Sequence, residues 1–289
     1  MEYRGHRSIG RGSDEVESYT REKKIYCSEG YREVDIYSYT DHRKKAAKGK
    51  RSKKKKESLP AQRNLNDKNA RRKLVRLGET NFGRNDISLT LTYSDEMLPA
   101  TIEEAEKEVE NYIRRVRRRR KKEGAEDLKY ILITAYTEEG PEGEKVPVRI
   151  HHHILMNQGL DRDIVEDLWR KRRRKGEKEG RSIGYANADR IQPDRNNGIA
   201  ALLTYLVKNP TGKRRWTCSQ NLTRPEGRPN DHKYSRRQVM RLAMEPLDIE
   251  YWEKQYPGWT IADPMYDYEQ KYNDFTGWAI YLKLRRKRE

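Results

Sequence analysis

Apolar and polar positions alternate most strictly in ISLTLTY, where Ile87, Leu89, Leu91 and Tyr93 take turns with Ser88, Thr90 and Thr92. A period of two predicts a strand with one buried face. The period then changes. From Thr101, residues Ile102, Ala105, Val109, Tyr112, Ile113 and Val116 form the single apolar stripe of a helix that ends in RRVRRRRKK. Those cations suit the negative end of a helix dipole, and Gly124 is the expected stop. YILITAY, from Tyr130, reads as a second strand, and VRIHHHILMN as a third. The loop between them is rich in Glu, Gly and Pro, as in a hairpin. GLDRDIVEDLWRKRRRK reads as a helix capped by Asp161, with Ile164, Val165, Leu168 and Trp169 inward. GYANADRIQ reads as a strand. NGIAALLTYLVKNP reads as a helix with the stripe Ile199, Leu202, Leu203, Leu206 and Val207, closed by Pro210. A last strand is expected in FTGWAIYLKLRRK, where Trp278, Ile280, Leu282 and Leu284 alternate.

The order of the core elements is β-α-β-β-α-β-α. It predicts an α+β fold of the ferredoxin-like split βαβ kind: an antiparallel sheet with helices packed on one face and the other face free to carry a site. Three regions are expected. Residues 1–65 form a basic, largely extended or disordered arm, 66–225 the core, and 226–289 a C-terminal extension with the final strand. Within the arm, Val34 and Ile36 mark at most a short extended segment, and the run RKKAAKGKRSKKKKE cannot bury itself. Just beyond, Ala70, Leu74 and Leu77 share a helical face, with Asn66 or Asp67 as the expected cap.

Charge narrows the partners. The 289 residues carry 64 Lys+Arg against 46 Asp+Glu, a net charge of +18. Such a surface favours a polyanion. No apolar stretch approaches the ~20 residues needed to span a bilayer, and the N-terminus lacks the apolar segment of a signal peptide. Nucleic acid is therefore the expected partner, with no membrane. Cys27 and Cys218 are too few and too far apart for a Cys-x-x-Cys zinc site.

Candidate chemistry sits on two elements. Side chains alternate along a strand, so His151 and His153 face one way and His152 the other, with Ile150, Ile154 and Met156. Two imidazoles at i and i+2 read either as a site for one divalent cation or as a polar strand face; His152 reads as a core histidine. On the helix before Pro210, Tyr205 and Lys208 lie off the apolar stripe, three residues apart and on one side. A phenol there is a candidate nucleophile for a phosphodiester. Lys208 is the cation that would ease its ionisation or bind the phosphate. Phosphate contacts are expected from Lys53, Lys54 and Lys55 in the arm, from Arg117 and Arg118, and from Arg172 and Arg173. Trp216, next to Arg214 and Arg215, reads as a base-stacking residue or as loop packing.

ISLTLTY, RIHHHILMN and YLVK, in that order, resemble the three motifs of the HUH endonucleases that initiate rolling-circle replication. The closer likeness is to the phage- and plasmid-type replication-associated proteins of Gram-positive mobile elements. It extends to QRNLNDKNARRKLVRLGETNFG, WTCSQNLTRP and YNDFTGWAIYLKLRRK. The resemblance implies nicking of one DNA strand with Mg²⁺ or Mn²⁺ held by His151 and His153, and Tyr205 joined to the 5′ phosphate. It also implies single-stranded or origin hairpin DNA as substrate, a host helicase and polymerase as partners, and the bacterial cytoplasm as location. One departure stands out: similar proteins carry a Glu as third ligand on the preceding strand, where this chain has Ala135. Two alternatives stay open: Glu138 or Glu139 substitutes from the loop, or the site uses the two histidines with water or is weakened. Three other readings remain open: a catalytically silent DNA-binding protein on the same fold, a related relaxase or single-tyrosine transposase, and a basic RNA-binding structural protein.

Overall fold

The computed structural model describes residues 18–40, 60–139, 145–194, 198–206 and 216–287. It opens with strands β1 (Ser18–Tyr26) and β2 (Tyr31–Thr40) and helix α1 (Pro60–Asn81). The region of strongest periodicity follows as β3 (Ile87–Leu91), α2 (Ile102–Lys122), β4 (Tyr130–Glu139), β5 (Lys145–Met156), α3 (Arg162–Asp167), β6 (Ala186–Arg190) and α4 (Ala200–Leu206). Then come β7 (Thr217–Cys218), β8 (Glu226–Asn230), α5 (Arg236–Met244), α6 (Ile249–Gln255), β9 (Trp259–Thr260), α7 (Pro264–Asp267), β10 (Tyr268–Asn273) and β11 (Gly277–Arg286). The chain is thus a mixed α+β protein built on antiparallel sheets.

The central sheet runs β6-β3-β5-β4-β7, with every neighbouring pair antiparallel. On one face, Leu89, Leu91, Ile154 and Met156 pack against Val109 and Tyr112 of α2, Val165 of α3 and Trp169 just after it. The polar tips of the two aromatics are satisfied: Tyr112 donates to the Val165 carbonyl at 2.9 Å and the Trp169 indole to the Thr92 carbonyl at 2.7 Å. The α2 stripe is the predicted one. Thr101 caps it by accepting from the Glu104 N–H, and it stops at Gly124, whose φ of 66° favours a residue without Cβ.

Contrary to the expectation from the apolar pattern, the helices do not keep to one face. Leu74 and Leu77 of α1 and Leu203 and Leu206 of α4 cover Ile131, Ile133 and Leu155 on the other side. The two helices touch at Gly78, where a Cβ would run into the δ-methyls of Leu203. The expected start of α1 also moves. The helix begins at Pro60, which has no N–H to leave unsatisfied in a first turn, so Asn66 and Asp67 sit inside it rather than at its cap.

A second sheet, of which the apolar pattern announces only β11 and a short part of β2, runs β10-β11-β2-β1-β8, with β9 also on β11. Residues 18–40, placed by composition inside an extended arm, form its hairpin, and residues 60–65 are already helical. Val34, Ile36, Ile280 and Leu282 pack there against Val239 of α5 and Trp252 of α6. Helix α1 ties the two sheets together. Its Arg76 binds Glu33 at 2.7 Å and Asp35 at 3.1 Å, and its Arg72 also pairs with both. Burial alone would raise the Glu33 carboxyl, but Arg76 and Arg72 outweigh it and hold it below its ordinary range.

Two further expectations change. Helix α3 ends at Asp167, so Arg172 and Arg173 lie on an irregular segment. That segment turns back on itself, with Lys171 N–H on the Arg181 carbonyl at 2.8 Å. Like charges four residues apart, Arg170 with Arg174 and Lys171 with Lys175, disfavour a continued helix there. Glu138 and Glu139 belong to β4, opposite Val146 and Lys145, and not to a loop. Among the described residues, no helix is long and apolar enough to cross a membrane.

Candidate active site

Strand β5 splits the histidine triplet as alternation requires. His152 is fully buried on the α2 side. Its Nε2 meets the Tyr93 hydroxyl at 2.7 Å and its Nδ1 the Thr134 hydroxyl at 2.9 Å. Burial, with His151 and His153 adding to it, lowers its pKa to about 3, so the ring stays neutral near pH 7. With both nitrogens engaged, it is a core residue.

His151 and His153 stand on the opposite face, ring centroids 4.9 Å apart and nearly perpendicular. The His151 Nδ1 lies 2.8 Å from the Arg149 carbonyl. A carbonyl only accepts, so Nδ1 carries the proton and Nε2 keeps a free lone pair. The His153 Nδ1 lies 3.2 Å from the Thr90 hydroxyl of β3. Burial, and then the neighbouring His151, lowers the His153 pKa to about 4. In the tautomer in which His153 likewise donates from Nδ1, to the Thr90 oxygen, both Nε2 atoms are left as the donor set a divalent cation takes, and the groups on Nδ1 orient the rings. Sequence reasoning misses Thr90 because the polar half of ISLTLTY has the look of a solvent face. A signal exists in the pairing: Thr90 stands directly opposite His153 in the β3–β5 register.

Ala135 pairs directly with His151 and is buried. It is therefore the position from which a carboxylate would stand beside the pair. Among the described residues, no group of three or more His, Cys, Asp or Glu is placed to hold a metal.

Helix α4 brings Tyr205 to the histidine side of the sheet. Its Leu203 and Leu206 pack on Ile133 and Leu155, which share a face with His153. Tyr205 points off that packed stripe and is 70% exposed. Two contacts from α1 fix the start of the helix: Gly78 allows the close approach, and Glu79 accepts the Ile199 N–H at 3.2 Å. Glu79 is itself paired with Arg285 of β11 at 3.2 Å. Its carboxyl is raised by burial, which Arg285 opposes. Lys208 lies outside the described residues, as do Lys53, Lys54, Lys55, Arg214 and Arg215.

The remaining expected DNA contacts do not gather around the histidines. Arg117 and Arg118 are exposed on α2, which packs on the opposite face. The Arg117 guanidinium lies 5.7 Å from the Tyr130 ring centroid. Arg172 and Arg173 are exposed after α3. Trp216 is half-buried at the sheet edge, packed against the core on the histidine side, with the Lys73 ammonium 5.8 Å from its ring.

These features define an α+β protein whose central antiparallel sheet carries a histidine pair and a helix-borne tyrosine on one face. Residues 86–210 match the family of the ORF2-type replication-associated protein, a match consistent with a rolling-circle replication initiator. The matched stretch runs from just before β3 to beyond Tyr205 and Lys208, so it holds every candidate catalytic residue and leaves out the second sheet. No curated protein and no solved structure matches the chain.

Proposed function

We propose that the chain is a rolling-circle replication initiator of the HUH type, a metal-dependent enzyme that nicks and rejoins single-stranded DNA through a tyrosine. One arrangement carries the reading. His151 and His153 stand side by side, each held through its Nδ1, on the sheet face over which α4 holds Tyr205, all inside the stretch that resembles replication-associated proteins. The strand order β6-β3-β5-β4, antiparallel throughout, supports the ferredoxin-like split βαβ arrangement for this unit.

In this reading the Tyr205 oxygen attacks the scissile phosphorus. The bond from phosphorus to the 3′ oxygen breaks as the phosphotyrosine bond forms. The phenol loses its proton, and the 3′ oxygen gains one to become the hydroxyl that primes synthesis. A free tyrosine has a pKa of about 10. Lys208, one turn on, is assigned to favour the phenolate or to hold the phosphate. His151 and His153 would hold Mg²⁺ or Mn²⁺, which when bound stabilises the negative charge that builds on the phosphate oxygens. The DNA is single-stranded or an origin hairpin, with a host helicase and polymerase acting on the opened duplex in the bacterial cytoplasm.

The test uses labelled oligonucleotides from the protein's own element, with Mn²⁺, with Mg²⁺ and with chelator. The expected result is a covalent protein–DNA adduct that needs metal and vanishes in Tyr205→Phe. Cleavage that survives Tyr205→Phe unchanged removes the tyrosine from the mechanism. A second reading, a catalytically silent DNA-binding protein, is favoured by Ala135 beside His151. Its signature is origin binding with neither cleavage nor adduct on any substrate.

A further inference from the structure

On the face away from the histidines, a cleft of about 340 Å³ opens between α2 and the β4–β7 edge. Its floor is Tyr130, Leu132 and Thr134, and Trp216 stands at its rim. A second cleft of about 930 Å³ continues it, sharing Arg117 and Tyr130 and adding Lys121. Spacing on α2 explains the wall. Glu106, Glu110, Arg114, Arg117 and Lys121 recur at three or four residues and form one stripe, acidic at its start and basic at its end.

Three observations point to an anionic, base-bearing occupant. Among the described residues, neither Arg117 nor Lys121 has a carboxylate partner; Arg117 lies only against the Tyr130 ring. Beside them Arg120, 2% exposed, donates to three backbone carbonyls, those of Glu126, Asn157 and Gln158. Among the described residues no carboxylate bonds to it directly, although Glu126, Asp127 and Asp86 act on it through space, so a buried positive charge lies against the cleft. Tyr130, beside Arg117, and Trp216, at the rim, both line the cleft, and aromatic rings in a cationic groove are the combination that holds unpaired bases.

We propose that this cleft seats single-stranded DNA, with one base entering between Tyr130 and Trp216 and the flanking phosphates lying along Arg114, Arg117 and Lys121. The proposal rests on the reading of the chain as a DNA nickase. Trp216 lines this cleft and also packs on the histidine-side core. Strand leaving the pocket at Trp216 therefore turns round the β7 edge toward His151 and His153. The helix cations that stand remote from the histidines become the anchor for the flanking strand.

Binding is measured by fluorescence anisotropy on the full chain in chelator, in the Tyr205→Phe background, so that no cleavage is needed. The probe is a single-stranded oligonucleotide from the element's origin. Arg117→Glu with Lys121→Glu is expected to weaken binding at least tenfold and to lower the salt slope by about 0.7 for each phosphate no longer neutralised. The same charge change on α5, Arg237→Glu with Arg241→Glu, is expected to alter it less than twofold. Arg117→Gln, a milder change, should give an intermediate loss with an unchanged melting curve. Photo-crosslinking with 5-bromouracil along the strand should mark a peptide containing Tyr130 or Trp216. Equal losses in both charge reversals, crosslinks only to another surface, or duplex DNA or RNA bound as tightly with the same dependence on Arg117 would overturn the cleft assignment. If the Tyr205 adduct forms while binding ignores Arg117, only the cleft proposal fails. If binding depends on Arg117 but no adduct ever forms, only the nickase reading fails.

Discussion

His151, His152 and His153 have identical side chains and three fates, set by which way the strand points them and by what meets their nitrogens. The pair-plus-one division is legible from alternation alone. Its consequences differ by measurement. His151→Ala and His153→Ala are each expected to abolish the metal-dependent adduct while leaving the melting curve within about 1 kcal/mol of the parent. His152→Ala should instead cost about 2–4 kcal/mol, because it opens a cavity and removes the ring that the Tyr93 and Thr134 hydroxyls both meet. Equal effects in all three variants would contradict the facing argument. The buried ring also predicts a pH dependence. Its pKa falls from 6.5 to about 3 on folding, so the unfolded chain takes the proton first. The stability it contributes is complete above about pH 6.5 and is lost as pH falls toward 3. Chemical denaturation at pH 7, 5.5 and 4 should show a shallower decline in His152→Asn than in the parent. Thr90 is not legible as a ring anchor, since a threonine on the polar side of a strand has no distinguishing pattern. Ala135 is legible as a gap, and the register makes it a constructive test. Ala135→Glu sets a carboxylate beside His151 and should tighten Mn²⁺ binding by about 10- to 100-fold in calorimetry. Unchanged affinity would show that this position does not face the metal.

Elements are legible wherever a single period runs for five residues or more. β3, α2, the histidine strand and β11 all follow their apolar spacing. The pattern overextends helix α3, because Leu168 and Trp169 keep the period while the RKRRRK run behind them does not keep the conformation. Helix α4 has the expected buried positions, but what docks it lies elsewhere, in Gly78 and Glu79 of α1. No local pattern shows that a glycine inside a helix is there to admit Leu203. Gly78→Ala tests the docking. The gain of about 1 kcal/mol in helix propensity opposes an overpacking cost of about 1–3 kcal/mol, so the net change in stability should be small. Displacement of α4 should nevertheless slow adduct formation at saturating DNA and leave DNA affinity unchanged. Adduct formation at the parental rate would show that α4 absorbs the added methyl without moving Tyr205.

At the scale of the whole molecule, the second sheet is legible in the sequence only at β11 and a short segment of β2, for a physical reason. β1 reads SYTREKKIY and β8 reads EGRPN, strands with little apolar alternation. Glu22, Glu33 and Asp35 are buried charges whose ion pairs include partners distant in sequence, Lys233 for Glu22 and Arg76 for Glu33 and Asp35. Composition therefore marks this stretch as an arm. The sheet is tied to the candidate site through Arg285, which is stacked 4.0 Å over the Tyr31 ring and paired with Glu79 at the start of α4. Arg285→Leu should cost about 3 kcal/mol by leaving the Glu79 carboxyl buried without its cation, measurable as a lowered melting temperature. A change under 1 kcal/mol would show that the pair contributes little. The same tie has a consequence for the order in which the protein comes into being. β1 and β2 leave the ribosome early, yet their outer neighbours are residues 226–230 and 280–285. At roughly 5–20 residues per second, the hairpin waits on the order of ten seconds or more for them. During that interval the nascent chain already has its histidine strand but not the last brace on its tyrosine helix, so the face that carries His151, His153 and Tyr205 is completed only after β11 has been made.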